Sequence, residues 1–258
     1  MDIIESVTTI GGSAYVAKKV LGPTLDKVGE DFQKLYEKGR DLIIEKAKAK
    51  IDNIDDGHQA NLRISREVFW SGSFSEEAIC AEYFGGILAA SRSKDGKDDQ
   101  NLYFVNVIKN LSSTELHLHY IIYNSFNKYF ANNKIKVNVG MESEITRQML
   151  YFDSLKLCEI TGFDFSRIAT NLNILYQQGL ISQFEYESDV PENSPTTKMK
   201  SYFKVNPTTF GITLYAISHN RFHDWSWFAE KEFGDFKDIK LPDRFYEKKE
   251  DIKHYLLV

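Results

Sequence analysis

The chain is poor in the residues that staple or stiffen small extracellular proteins. Among 258 residues there are two cysteines and five prolines. The two thiols, Cys80 and Cys158, both sit in apolar helical patterns. They form no disulfide framework and suit a reducing compartment. Long hydrophobic runs are missing as well. The longest uncharged stretch near the start, Ser6 to Ala17, falls short of the ~18–20 apolar residues a membrane span requires. Met1-Asp2-Ile3-Ile4-Glu5 has no basic leader, so no secretory signal is expected and the implied location is cytoplasmic. Positive charge is in deficit, with 32 Lys and Arg against 37 Asp and Glu and a net charge of −5. That balance argues against attraction of the whole protein to nucleic acid or anionic lipid.

Familiar catalytic patterns are absent too. The sequence contains no phosphate-cradling glycine loop with Lys-Ser or Lys-Thr, no Cys-x-x-Cys, no His-Glu-x-x-His and no Gly-x-Ser-x-Gly elbow. Clustered carboxylates with a strand lysine, as a nuclease would need, are also missing. An enzyme is therefore not expected, and no cofactor is implied.

What is present describes a globular, helix-rich protein. The composition is 42% hydrophobic and 27% charged, ordinary values for a folded domain. Aromatics reach 14%, which predicts aromatic-rich packing between helices. The fold class read from the periodicity is mainly α, a multi-helix body with a small, reduced winged-helix-like α+β subdomain near the C-terminus.

Four regions follow along the chain. Residues 1–54 read as an N-terminal amphipathic helical region, broken at Gly11-Gly12 and Gly22-Pro23. Its polar face carries Lys34, Lys38, Lys46 and Lys50, a solvated face or a surface for a membrane or partner. Residues 55–158 read as a central helical domain. Within it a helix over Asn61–Trp70 precedes one that runs to Ala90, whose Gly85 and Gly86 allow a close helix approach. Glu76, Glu77 and Glu82 form an acidic edge within reach of Arg63 or Arg66. Ser112 with Glu115 is a capping box opening a helix to about Phe130. Ile135, Val137 and Val139 alternate as a strand would, and Met141 to Leu157 returns to helix.

Residues 159–220 carry the winged-helix pattern. Asp164 caps a helix that stops at Gly179, a strand starts at Leu180-Ile181, and a polar stretch returns into Tyr202–Val205. Pro207 then opens a last helix. The joint Glu159–Phe163 leaves no room for the usual middle helix. Residues available to nucleic acid are Arg167, Asn171, Lys198, Lys200 and Lys204. From Thr161 to Asn220, however, four bases (Arg167 and the three lysines) face five acids, Asp164, Glu185, Glu187, Asp189 and Glu192. Phosphate contacts dominate affinity, so a protein-contact role is favoured over DNA reading. Residues 221–258 read as an aromatic docking tail ending in Tyr255-Leu256-Leu257-Val258. His219 and His223, at i and i+4, would share a helix face and are weak metal candidates, with packing the stronger reading. His117 and His119 read as packing or surface histidines.

The segments "SEEAICAEYFGGILAASRS" and "VIKNLSSTELHLHYIIY" resemble the central region of the bacterial abortive-infection alpha (Abi-alpha) proteins. "AYVAKKVLGPTLDKVGEDF", "LNILYQQGLI" and "PTTFGITLY" are similar to that family's layout as well. The resemblance implies a bacterial cytosolic protein linked to phage defence, and it carries no catalytic residues with it. The expected function is a non-enzymatic antiphage protein acting through a protein partner. The alternatives are a winged-helix transcriptional regulator and a membrane-active effector using the N-terminal segment.

Overall fold

The computed structural model describes residues 25–75, 77–188, 200–242 and 246–248. Its first half is helical: α1 (Leu25–Ala49), α2 (Leu62–Gly72), α3 (Ala78–Ala90), α4 (Leu102–Lys109) and α5 (Ser113–Asn133). A two-stranded ribbon, β1 (Gln59–Ala60) with β2 (Arg92–Ser93), ties the start of α2 to the end of α3. Then follow α6 (Glu142–Ile145), β3 (Leu150–Asp153), α7 (Ser154–Thr161), α8 (Phe165–Gln177), β4 (Ile181–Ser188), β5 (Ser201–Pro207) and α9 (Thr209–Ser218). A 3-10 helix, Phe222–Ala229, and a short β6 (Tyr246–Glu247) complete the described chain. The fold is mainly helical with a small α+β part.

Helix α3 has no polar face in its sequence, and it is buried from Ile79 through Ala89. A helix that is apolar all round belongs inside a protein. Its glycine pair sets how closely the neighbours come. A Cβ on Gly85 would lie 2.8 Å from Lys46 Cβ and 2.9 Å from the Ala47 amide nitrogen, both in α1. A Cβ on Gly86 would overlap the backbone of Ser218, the last residue of α9. Two helices therefore cross α3 at backbone distance, on adjacent residues.

Local signals explain most of the helix ends. Asn61 accepts from the amides of Arg63 and Ile64, and Asp164 accepts from the amide of Arg167 at 2.8 Å. The capping box of Ser112 and Glu115 is formed. Helix α5 runs three residues beyond the expected end and closes on Lys134, at φ 51. Its buried Tyr120, Tyr123, Phe126 and Phe130 make the aromatic interior that the composition foretold. Helix α9 starts two residues later than expected. Pro207 ends β5, and Thr208 caps the helix by accepting from Gly211 at 2.9 Å.

Three expectations change. Residues 135–139 form no strand and pair with no other strand among the described residues. The stretch from Met141 to Leu157 is not one helix but α6, β3 and the start of α7. Leu150, Tyr151 and Phe152 are an unbroken apolar run, buried on both faces of a strand, and periodicity alone cannot tell that from a buried helix. Asp153, by accepting from the amides of Leu155 and Lys156, restarts the helix. The supposed joint Glu159–Phe163 is then mostly α7, which stops at Gly162 with φ 68.

The sheet order is β4-β5-β3-β6, antiparallel throughout. Leu150 lies opposite Val205 and Phe152 opposite Phe203, while Glu185 faces Lys204 across the β4–β5 hairpin. Helix α5, strand β3, helices α7 and α8 and the hairpin follow one another as in a winged helix. The middle helix thought absent is present as α7, so the subdomain is fuller than its sequence suggested. One buried hydrophobic cluster runs from Ile43 in α1 to Phe236, through α3, α5, α8 and β5.

Gly86→Ala is expected to lower stability by about 3 kcal/mol, because the obstacle is backbone rather than a movable side chain. Urea unfolding followed by circular dichroism would measure it. An unchanged midpoint would mean that α3 and α9 can separate freely.

Candidate functional site

The solvent face of α8 is where a winged helix meets its target. Ser166, Thr170, Asn173 and Gln177 recur at helical spacing and are all exposed. None is charged. Arg167, the one base of the helix, packs at 4.2 Å over the Phe163 ring and donates to Thr114 Oγ1 at 3.1 Å. Asn171 is buried and donates to the Arg167 carbonyl, so it faces inward rather than toward a ligand.

The wing cations are similarly engaged. Lys204 lies 2.7 Å from Glu185 and 3.8 Å from Glu187. The hydrogen bond and charge of Glu185 raise its pKa. Lys200 lies 3.3 Å from Glu247 in β6. Lys198 lies outside the described residues. The described candidates, Arg167, Asn171, Lys200 and Lys204, therefore do not form an open basic surface.

Exposed apolar groups stand on the same subdomain instead. Leu155 of α7 is 67% exposed and Tyr186 of β4 is 51% exposed. Phe165 meets Tyr186 edge-on at 4.7 Å and stacks on Phe203 at 4.9 Å. Phe165 and Tyr176 lie eleven residues apart on α8, close to one line along the helix. These aromatics were not singled out from sequence. Leu155 and Tyr186 each stand beside charged residues, a signal that points as well to a solvated position.

A second cluster lies where α1 meets α3. The basic face expected of α1 divides in two. Lys34 and Lys38 are exposed, but Lys46 is only 5% exposed and Lys50 is largely covered. Glu82 of α3 pairs with both Lys46 and Lys50, and Lys46 also pairs with Asp238. Glu82 thus turns to α1, while Arg63 pairs with Asp99 and Arg66 with Glu67. Burial lowers the Lys50 pKa against the pull of Glu82. Burial also opposes the charge of Lys46, but Asp238 and Glu82 outweigh it and its pKa rises. The sequence signal was available: Glu82 is the lone charge in α3.

These groups line a cleft of about 290 Å³ together with His219, Arg221, Asp235 and Phe236. His219 does not share a helix face with His223. Helix α9 ends at Ser218, Asn220 takes φ 56, and His223 is exposed on the 3-10 helix. Nε2 of His219 lies 3.2 Å from the Gly234 carbonyl, and Nδ1 lies 3.0 Å from the Tyr215 carbonyl and 3.2 Å from the Ser218 hydroxyl; a neutral ring donates from one of the two nitrogens only. The ring stacks on Phe236 at 4.5 Å. Among the described residues no cluster of His, Cys, Asp or Glu has metal-binding geometry. His119 is buried beside the Tyr83 hydroxyl, 2.5 Å from Nδ1. His117 is half-buried, with its pKa lowered by burial. Cys80 is buried and Cys158 half-buried, both as free thiols.

Chemically the cleft sets the ion pairs of Glu82 with Lys46 and Lys50 beside a neutral His219 imidazole, with the exposed Asp52 carboxylate at its edge. No family model matches this chain, and no curated protein or solved structure is similar to it.

Burial depresses the pKa of His219 to about 4 and that of His119 to about 3. The unfolded chain therefore binds more protons than the folded one below the ordinary histidine range. Stability is full above about pH 6.5 and falls as pH drops toward 4, with His219 alone contributing on the order of 3 kcal/mol over that span. Urea midpoints at pH 7 and pH 4.5 should show the loss, and His219→Gln should flatten its slope. Equal slopes in the two proteins would remove His219 as the cause.

Proposed function

We propose that this chain acts through protein contacts rather than by catalysis or by reading DNA. The resemblance of its central helices to abortive-infection alpha proteins further supports a role in bacterial antiphage defence. One observation carries the first part: the winged subdomain presents an α8 whose single charge, Arg167, is engaged by Phe163 and Thr114, together with exposed Leu155, Phe165 and Tyr186, while Lys200 and Lys204 are held by acids. Nucleic-acid binding draws its affinity from phosphate neutralisation, which this face does not supply. Protein interfaces are instead centred on aromatic anchors with an uncharged polar surround.

Membrane contact has a separate observation in its favour. Trp70 is 69% exposed and stands edge-on to Phe74 at 6.0 Å, which in turn lies 6.0 Å from Tyr36. Lys34 and Lys38 are exposed on the same stretch of α1. No described helix is long and apolar enough to cross a membrane; a contact made through Trp70, Phe74 and Tyr36 would be peripheral.

Duplex DNA at low salt should give no mobility shift, and a shift lost on Lys200→Ala with Lys204→Ala would restore the regulator reading. Bacteria expressing the chain should plate phage at least ~10-fold less efficiently than those with an empty vector. Leu155→Ala with Tyr186→Ala should abolish that protection without lowering the melting temperature. Equal plating with and without the chain, over a panel of phages, would end the defence proposal. In vesicle flotation, the peripheral reading requires binding that Trp70→Ala weakens.

A further inference from the structure

The alternation of Ile135, Val137 and Val139 is a strand signal that the sheet leaves unused. Residues 135–138 follow the end of α5 and lie in neither helix nor turn. Ile135 and Val137 are half-buried while Lys136 and Asn138 are exposed, so burial alternates as it does along a strand with one covered face. The segment is tethered at both ends. Ile135 donates its amide to the Phe130 carbonyl at 3.0 Å, and Asn138 donates its own to Glu144 Oε2 at 2.9 Å. Between these tethers the amides of Lys136 and Val137, and the carbonyls of Ile135, Lys136 and Val137, have no hydrogen-bond partner among the described residues. Free backbone groups with alternating side chains are a template for one more strand.

A groove of about 660 Å³ runs beside this segment. Ala131 of α5 and Ala229 of the 3-10 helix line it together with Ile135 and Val137, which makes the floor apolar. Its charged lining is Lys134, Lys136 and Glu230. Lys134 and Lys136 are both exposed and form no ion pair with a described residue. A third cation, Lys248, lies close by, its Nζ 3.3 Å from Oδ1 of Asn133, the last residue of α5. The edge is thus locally basic in a protein whose net charge is −5. A second copy pairing through the same edge would set lysine against lysine, and like charges opposite one another are unfavourable. An acidic strand would meet complementary charge.

We propose that the 134–138 edge and its groove bind an extended acidic segment of a partner protein by strand addition. The alternation of side chains dictates the pattern of that segment. Residues two apart on a strand share a face, so exposed Lys134 and Lys136 fall on one side and Ile135 and Val137 on the other. The added strand therefore carries acids at every second position, beside the lysines, with apolar residues between them over the floor. Extended, 134–138 spans ~16 Å, the length of an ordinary strand. This surface shares no residue with Leu155, Phe165 and Tyr186, so the contact is additional to the one proposed for the winged subdomain.

Fluorescence anisotropy of the full chain with two labelled hexapeptides tests this. One peptide alternates glutamate and valine, and the other has the same composition with its glutamates in one block and its valines in the next. The alternating peptide should bind at least ~10-fold more tightly, and hydrogen exchange at 134–138 should slow in its presence. Lys134→Glu with Lys136→Glu should weaken that binding at least ~10-fold with an unchanged melting temperature, because both side chains are exposed. Should that variant fail to fold, Lys136→Ala alone decides, through a loss of at least ~3-fold. No binding of the alternating peptide overturns the proposal. So does equal binding of the two peptides, which would mean attraction by charge alone. Binding that the lysine substitutions leave intact places the peptide elsewhere and overturns it as well. A concentration-dependent dimer that the same substitutions dissolve would assign the edge to a second copy and overturn the acidic partner.

Discussion

Backbone contact at Gly85 and Gly86 governs how the rest of the helices are placed. Helix α3 carries one charge, Glu82, and is otherwise apolar around its circumference, so burial by neighbours on all sides lowers its free energy. Two adjacent residues without side chains admit α1 on one side and the end of α9 on the other. Once α1 is that close, Lys46 and Lys50 are carried below the surface, and Glu82 becomes the counter-charge that makes their burial tolerable. Once α9 is that close, its end delivers His219 to the aromatic stack of Tyr120, Tyr215 and Phe236. The charge cluster and the seat of His219 are thus consequences of the two crossings that the glycine pair admits.

The same crossings explain why suggestive residues lose the roles suggested for them. A lysine stripe on an isolated amphipathic helix looks like a surface for anionic lipid. In the folded protein half of that stripe faces Glu82. A pair of histidines four apart looks like a metal site until the helix ends between them and each nitrogen of His219 lies beside a carbonyl. In the winged subdomain Lys200 and Lys204 meet acids on neighbouring strands, and the one base of the helix that would read bases, Arg167, is engaged by Phe163 and Thr114. Among what stays outward are Leu155, Phe165 and Tyr186, which is why protein contact is the reading proposed.

Much of the fold was legible because its signals are local. Asn61, Ser112 and Asp164 each satisfy orphan amides within three residues, so helix starts could be placed from sequence alone. Gly162 and Gly179 take positive φ where helices stop. The failures share a different physics. Leu150–Phe152 and Ile135–Val139 were misread in opposite directions, the first as helix and the second as a paired strand. Strand identity depends on a partner distant in sequence: Val205 and Phe203 for the first, none among the described residues for the second.

The candidate site divides along the same line. The sequence by itself determined the helical class, the small-residue crossing, the winged hairpin and the net acidity of its tail, because spacing and composition carry those directly. Only the tertiary structure decided which lysines are buried, that Glu82 joins them, that α7 completes the winged unit, and that Leu155 and Tyr186 face solvent. Each of those depends on contacts between residues tens of positions apart, where burial and ion pairing are set by packing and no local pattern records the partner.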